Sequence, residues 1–330
     1  MGRTLGLVLG FAADRLLGDP PRWHPVAGFG RVATAVERVT YADHRVAGAL
    51  HVTVLVGGTV ALARALPEGT ATTAVCTWTV LGGRSLAREA TAVHAHLASG
   101  DLAAARQRVT HLVGRDPSRL DADEVARAAV ESVAENTADA VVAPLLWGAV
   151  AGPAGLLGYR AVNTLDAMVG HRSPRHARFG WAAARLDDVA NLLPARVTAL
   201  LASAAAPGPA LRAWRRDAPR HPSPNAGPVE AAFAGALGLR LGGTNRYGED
   251  VEDRGFLGSG RPPGAPDILR AVRLAEAVDL GALSLAVLAA TAGRPRRRRP
   301  PPGPLPAPVL PAVGPRPPRC PGRRRRRAWR

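Results

Sequence analysis

Long apolar runs alternate along the chain with segments in which charged residues recur at helical spacing. One apolar run covers residues 46–66 and is interrupted only by His51 and Arg64. About 20 apolar residues are enough for a helix to cross a bilayer. Because apolar residues continue after the turn at 67–69, this region predicts a membrane hairpin, with a soluble helical core as the alternative.

Three further apolar runs cover residues 140–162, 189–206 and 272–292. Pro153 stands between glycines in the first of them and should kink or break the helix, because proline removes a backbone donor. The block at 207–270 is rich in Pro, Gly and Arg, and we expect it to consist mainly of loops. Repeated apolar helices with few strands predict an all-α, polytopic integral membrane protein with four or five crossings.

A polar helical region lies between the first two groups of apolar residues. Residues 85–114 predict two amphipathic helices joined at 99–101. The next helix is expected to begin after Asp121, because Glu124 stands three residues later and completes a capping box. This third helix leads directly into the apolar run at 140–162.

The same helix carries three carboxylates spaced four residues apart, at Glu131, Glu135 and Asp139, so all three should lie along one face. Like charges beside an apolar run need a positive partner. Mg²⁺ is a fitting one, because it takes carboxylate oxygens together with substrate phosphates. A solvated helix face in which arginines such as Arg127 pair with the carboxylates explains the spacing equally well.

The amino-acid composition excludes one kind of nucleotide site and gives no sign of a zinc site or a disulfide framework. All 43 basic residues are arginine, which excludes a phosphate-binding P-loop with its lysine. Two isolated cysteines, Cys76 and Cys320, give neither a zinc spacing nor a disulfide framework. Much of the net charge of +17 lies in the Arg/Pro-rich residues 294–330, which should be disordered. We therefore expect a membrane-embedded domain at 1–293 followed by this tail.

The basic tail allows more than one interpretation. Attraction to anionic lipid headgroups is one, and an extension without a role is another. A soluble helical protein that binds nucleic acid through its tail is the third. No nucleic-acid partner is expected, because no module that reads nucleic acid accompanies the charge.

Polar side chains gather at the margins of two apolar runs. Arg160, Asn163 and Asp166 are spaced three residues apart at the end of the first run. A second group stands at the next run and contains Arg185, Asp187, Asp188, Asn191 and Arg196. Charged groups beside an apolar layer are costly unless they pair or bind something. Interior salt bridges and a ligand site are both compatible with this pattern.

Two segments that look like loops, 221–227 and 241–250, add weaker candidates. Asn225, Asn245 and Arg246 have side chains that can hold a phosphate or an amide, and the glycines beside them expose backbone N–H groups. Such residues also mark simple turns.

The order of four segments is more specific than any single motif. They are GDPPRWHPV (18–26), the stretch from VGRDPSRLDADEVARAAVESVAEN to APLLW (113–147), YRAVNTLDAMVGHRSPRHARFGWAAARLDDVANLLPAR (159–196) and HPSPNAGPVEAAFAGALGLRLGGTNRYG (221–248). In this order they resemble the adenosylcobinamide-phosphate synthase (CbiB/CobD) family of cobalamin biosynthesis. The resemblance covers roughly residues 5–290, and the tail matches nothing in the family pattern.

The resemblance implies a multi-pass protein of the cell membrane, with the lipid bilayer as its surroundings. It implies an ATP-dependent, Mg²⁺-requiring amide ligase that joins adenosylcobyric acid to (R)-1-aminopropan-2-ol or its O-phosphate. Other cobalamin-pathway enzymes are implied as further partners. A membrane transporter, or a non-catalytic scaffold for such enzymes, is the alternative.

Under this resemblance the candidate residues receive roles. Glu131, Glu135 and Asp139 would hold the metal, and Asp187 or Asp188 would take a proton from the attacking ammonium group. Arginines suit bidentate pairing with phosphates or corrin side chains. The candidates for that binding, together with the amides beside them, are Arg115, Arg160, Arg185, Asn136, Asn163, Asn225, Asn245 and Arg246.

Overall fold

The computed structural model describes residues 2–19, 24–114, 116–171, 173–247 and 250–292, together with Gly314. Only the backbone is described for 244–247 and 250–253. Met1–Arg294 form one compact unit. The predicted disorder of the tail from residue 294 onward lies outside the described residues, Gly314 excepted, and stays a prediction.

The described chain is almost entirely helical, which confirms the all-α prediction. Its α-helices are Gly2–Leu17 (α1), Pro25–Thr40 (α2), Arg45–Ala65 (α3), Thr70–Val80 (α4), Gly83–Ala98 (α5), Leu102–Val109 (α6), Ala122–Thr137 (α7), Ala143–Leu165 (α8), Trp181–Ser203 (α9), Pro207–Asp217 (α10), Ala226–Leu237 (α11) and Ala265–Ala292 (α12). One antiparallel hairpin joins Leu241–Tyr247 (β1) to Asp250–Leu257 (β2).

Three helical segments in the described part of the chain are long and apolar enough to cross a membrane: α3, the continuous run Ala122–Gly170, and α12. The expected second arm of the 46–83 hairpin is α4, whose 11 residues extend only about 16 Å. This is well short of the roughly 30 Å hydrocarbon core. The structure therefore offers fewer candidate crossings than the four or five expected from the sequence.

The run Ala122–Gly170 reverses direction at Gly152, which has φ 60° and ψ −141°. A straight helix would hold Asp139 and Asp166 about 40 Å apart, yet both side chains line one cavity. Glycine is needed because its φ is positive, and Pro153 cannot continue the preceding hydrogen-bond ladder. The break predicted at Pro153 is confirmed, and it makes α8 a helical hairpin rather than a kinked crossing.

The hairpin is closely packed at its tip. A Cβ on Gly155 would collide with the carbonyl of Trp147 across the turn, so only glycine fits there. Arg3 Nη1 donates to the carbonyls of Ala149 (3.2 Å) and Val150 (3.0 Å). Pro153 has no N–H to donate to the carbonyl of Ala149, so Arg3 caps the end of the first arm.

Two short π-helical segments interrupt the same run, Ala138–Val142 before α8 and Asp166–Gly170 after it. The sequence pattern gives no sign of them. Each adds a residue to a helical turn and so rotates the side chains that follow.

The polar helices agree with the sequence pattern. Helices α5 and α6 are separated at residues 99–101 as predicted. Asp121 Oδ1 accepts from Glu124 N (2.8 Å) and Glu124 Oε2 accepts from Asp121 N (3.0 Å), so the predicted capping box is present. Helix α7 is buried among α5, α6, α11 and α12, so the helix expected to be polar lies in the core.

The block at 207–270 was expected to consist mainly of loops, and this prediction is wrong. The block contains α10, α11 and the β-hairpin. Its sequence is misleading because proline at the first turn starts a helix as readily as it ends one. Pro207 begins α10 in this way. Helix α11 ends at Gly238, whose left-handed conformation (φ 67°) is a common helix cap.

Candidate functional site

A polar cavity of about 120 Å³ opens between α7, α8, α9 and the start of α11. Its charged lining consists of Glu135, Asp139, Asp166, Asp187 and Asp188. Its neutral polar lining consists of Asn191, Ser223 and Asn225. Three segments that are far apart in the sequence therefore contribute oxygen atoms to one small space.

The two π-helical segments place two of these carboxylates. Asp139 belongs to the first segment and Asp166 begins the second. Asp166 is also accommodated by Gly170, where a Cβ would collide with Asp166 Oδ1. A straight α-helical continuation would turn both carboxylates to other directions, so local backbone irregularity shapes the cavity.

Amide side chains connect the carboxylates. Asn163 Nδ2 lies 3.5 Å from both Asp139 Oδ2 and Asp187 Oδ1. Asn191 Nδ2 donates to Asp187 Oδ2 (3.0 Å), and Tyr159 Oη donates to Asn191 Oδ1 (2.9 Å). These contacts hold Asp187 from two sides and fix its orientation.

Asp187 has the protonation behaviour that a general base requires. Burial, reinforced by the negative charge of Asp166, raises the pKa of Asp187 to about 7. A base works best when its pKa lies near the operating pH. The contacts of Asp188 are different: its Oδ2 accepts from Arg185 Nη1 (3.2 Å) and its carbonyl accepts from Asn225 Nδ2 (2.8 Å), so this carboxylate is already engaged by a cation. Asp187 is therefore the better candidate of the two predicted bases.

The oxygen atoms of the cavity fit a hard divalent cation. Carboxylate, amide and hydroxyl oxygens are the ligands that Mg²⁺ prefers. Five carboxylates line the cavity, whereas two arginines contact described lining residues, Arg185 at Asp188 and Arg196 at Asn225. A volume of 120 Å³ equals about four water molecules, enough for a cation with about four water or phosphate oxygens beside the carboxylates. A whole nucleotide would have to lie mostly outside.

As the side chains stand, no three His, Cys, Asp or Glu residues of the described chain converge tightly enough to enclose a metal ion. The carboxylates would therefore have to draw together on binding. The predicted metal role of Glu135 and Asp139 stays a prediction.

Two other predicted residues of α7 have different contacts. Glu131 accepts a hydrogen bond from Gly242 N at 2.8 Å and lies 4.0 Å from Arg127 Nη1. Asn136 Nδ2 donates to the carbonyl of Ser132 at 2.9 Å. Neither side chain lines the cavity. The acidic face predicted for this helix thus divides, with Glu131 facing the β-hairpin and Glu135 facing the cavity.

The remaining candidates lie in several places. Asn163 and Asn225 contact the cavity carboxylates or their backbone, whereas Arg160 donates to Asn163 (3.3 Å) but lines a neighbouring apolar groove. Asn245 and Arg246 stand on β1, with side chains outside the described part, and Arg115 lies outside the described residues. Their predicted binding roles stay predictions.

Sequence reasoning gave no role to Asp166, Asn191, Tyr159 or Ser223. Asp166 and Asn191 stood in the polar cluster and could have been selected by spacing, since each follows another site residue by three or four positions. Tyr159 and Ser223 carry no such signal. Their position depends on how α8, α9 and the start of α11 meet.

Comparison with known proteins identifies the family. The family model described as CobD/Cbib protein matches residues 7–275. The chain belongs to this family. Proteins named cobalamin biosynthesis protein CobD are 53% identical in Mycobacterium tuberculosis, covering 89% of this chain and 97% of the relative. In Chromobacterium violaceum the identity is 47%, covering 83% and 92%.

The resemblance inferred from the four ordered segments is thereby confirmed. The CobD relative from Rhodobacter capsulatus is 42% identical over 81% of this chain and 91% of its own length. No solved structure matches the chain significantly. Membership in the CobD/CbiB family supports a role for this chain in cobalamin biosynthesis.

Proposed function

We propose that this chain is an adenosylcobinamide-phosphate synthase embedded in the cell membrane by several helices. In an ATP- and Mg²⁺-dependent reaction it would join the amine of (R)-1-aminopropan-2-ol, or of its O-phosphate, to a propionate carboxyl of adenosylcobyric acid. Family membership supports the pathway. The carboxylate cavity supports the type of chemistry.

One observation carries the proposal. Parts of three of the four segments that carry the family resemblance meet in the cavity, through Glu135 and Asp139, through Asp166 and Asp187, and through Asn225. Structural carboxylates elsewhere in the described chain form ion pairs, as buried Asp217, Asp267 and Asp279 do. In the cavity, Arg185 pairs with Asp188 only, and a surplus of carboxylates over cations is expected where a cation is supplied by a substrate.

Mg-ATP would transfer a phosphoryl group to the unreactive carboxylate, giving ADP and an acyl phosphate, and inorganic phosphate would leave when the amine nitrogen forms the amide bond. Mg²⁺ would neutralise the charge on the transferring oxygens. Glu135, Asp139 and Asp166 would hold the cation. Arg185, whose side chain is 63% exposed and contacts Asp188 of the lining, would pair with phosphate oxygens. Asp187 would take the proton that the ammonium group must lose before its nitrogen can attack.

The test is a reaction with the purified full chain in detergent. Adenosylcobyric acid, each amine and Mg-ATP are supplied, and the corrin amide and ADP are measured by mass spectrometry. We expect an amide product whose formation requires both ATP and Mg²⁺. Folded protein that leaves the corrin acid, the amine and the triphosphate unchanged would refute the ligase.

A matched pair of variants tests the cavity. Asp139→Asn removes one carboxylate charge from the lining, whereas Asp123→Asn removes one from an exposed position on the same helical run. We expect the first to lower the rate at limiting Mg²⁺ at least about tenfold and the second to leave it unchanged. Equal rates for the two variants would show that the cavity is not the metal site. Corrinoid uptake into vesicles without a covalent change would favour the transporter instead.

A further inference from the structure

An apolar groove of about 490 Å³ runs beneath α2, between α3 and α8. Helix α2 contributes Phe29 and Val36, α3 contributes Val54 and Leu62, and α8 contributes Leu157. Helix α3 is one of the segments able to cross a membrane. In a bilayer crossed by α3, the open side of the groove would face acyl chains.

Helix α2 presents an apolar face to this groove without filling it. Its residues at positions 25, 26, 29, 32 and 36 fall on one face of the helix, yet Ala33 is the only fully buried residue of α2. On the α3 side, a Cβ on Gly58 would meet nothing within 4 Å. Space remains between apolar surfaces that would otherwise be expected to close on each other.

Arg160 is the only ionisable residue among those lining the groove. Its Nε has no hydrogen-bond partner among the described residues. No described carboxylate lies within 4.0 Å of its guanidinium, and Asp19 and Asp139 act on it only from farther away. A guanidinium in an apolar groove is complementary to an amphiphile with an acidic head, and a phosphate is the group that arginine binds best.

The size of the groove agrees with such a ligand. A methylene group takes up roughly as much space as a water molecule, about 30 Å³, so 490 Å³ accommodates about 16 of them. This is the length of one ordinary acyl chain. The groove offers too few polar contacts for a corrin. The amides on the rim of a corrin would meet only Arg160 and a few threonines.

We propose that the groove binds one anionic phospholipid of the bilayer, with an acyl chain between α2, α3 and α8 and the phosphate on Arg160. The lipid completes the packing of α2, which has little buried surface of its own. It also supplies the anion that Arg160 lacks. The groove shares no lining residue with the carboxylate cavity, although Arg160 also donates to Asn163 beside that cavity. Lipid binding does not depend on the ligase reaction.

The test uses the full chain in phosphatidylcholine nanodiscs that carry a trace of photoactivatable phospholipid, either phosphatidylglycerol or phosphatidylcholine. After irradiation, labelled peptides are identified by mass spectrometry. We expect phosphatidylglycerol to label peptides of α2, α3 and α8 in clear preference to phosphatidylcholine. In Arg160→Gln the preference for the anionic lipid should disappear while labelling by phosphatidylcholine remains.

Neighbouring glycines provide a matched pair of blocking variants. Gly58→Phe places a ring in the groove, whereas Gly57→Phe adds the same ring on the same helix at a position outside it, and neither Cβ meets an atom within 4 Å. Groove labelling should fall about tenfold in Gly58→Phe, because several methylenes lose their place, and should persist in Gly57→Phe. Thermal melting of both proteins checks that they are folded.

Three results would overturn the proposal. They are equal labelling of the two glycine variants, equal labelling by the anionic and the zwitterionic lipid, and competitive loss of the label when adenosylcobyric acid is added. The third would assign the groove to the corrinoid. Because labelling needs no turnover, an inactive chain that still labels would contradict the ligase and leave the lipid site standing.

Discussion

Gly170→Ala should damage the cavity without damaging the fold. Gly170 ends the second π-helical segment, and a Cβ at this position would overlap Asp166 Oδ1. The backbone of Gly170 does not have the positive φ that side chains avoid, so alanine itself fits. The atom that must move is the far end of a side chain. The expected result is a carboxylate turned away from the cavity.

The two energetic consequences for stability nearly cancel. Alanine is preferred to glycine in a helix by up to about 1 kcal/mol. Turning Asp166 out of its preferred rotamer costs about 1 kcal/mol. The melting temperature should therefore change by no more than about 4 °C. By contrast, moving one oxygen ligand should lower the apparent Mg²⁺ affinity about 10- to 100-fold.

The assay is the rate of corrin amide formation as a function of Mg²⁺ concentration, accompanied by thermal melting. A double-mutant cycle identifies the route of the effect. If Gly170→Ala acts through Asp166, it should have no additional effect in an Asp166→Ala background. A Mg²⁺ dependence unchanged by Gly170→Ala but shifted by Asp166→Ala would refute the steric reasoning. Independent, additive losses would refute the coupling.

Two further substitutions test the scaffold around the site. Asp217 is buried and receives two hydrogen bonds from Arg216 (2.7 and 2.8 Å), and these bonds hold the pKa of Asp217 below its usual range. Asp217→Asn should lower the free energy of unfolding by about 2 kcal/mol. The figure is modest because Arg216 is half exposed. Since the pKa of Asp217 is lowered, this stabilisation is present above about pH 4 and is lost as the pH falls further. The melting temperatures of the two proteins should therefore converge in acid. A difference that stays constant with pH would refute the ion pair as the source of the stability. Gly48→Ala should lower the free energy of unfolding by about 3 kcal/mol or more, because a Cβ would overlap the carbonyl of Phe179. An unchanged melting temperature would contradict that close contact.

Helix boundaries and breaks were predictable where they depend on residues close in sequence, and the order of four segments was enough to predict the family. The capping box at Asp121 and Glu124 and the break before Pro153 are examples, and both are present. The direction of Glu131 could not be predicted, because it depends on contact with Gly242, a residue more than 100 positions away. The π-helical placement of Asp166 is equally invisible, since nothing in the local composition distinguishes one extra residue in a helical turn.

The reversal at Gly152 explains how an acidic cluster and an apolar run can be neighbours in sequence. From Asp139 to the tip the first arm extends only about 20 Å, less than the roughly 30 Å hydrocarbon layer. An arm of that length that turns back returns its end to the side from which it started. Asp139 and Asp166 therefore lie at the same end of the helical hairpin, and both line one cavity with Asp187. A straight helix would have held these carboxylates about 40 Å apart, where no single cation could contact both.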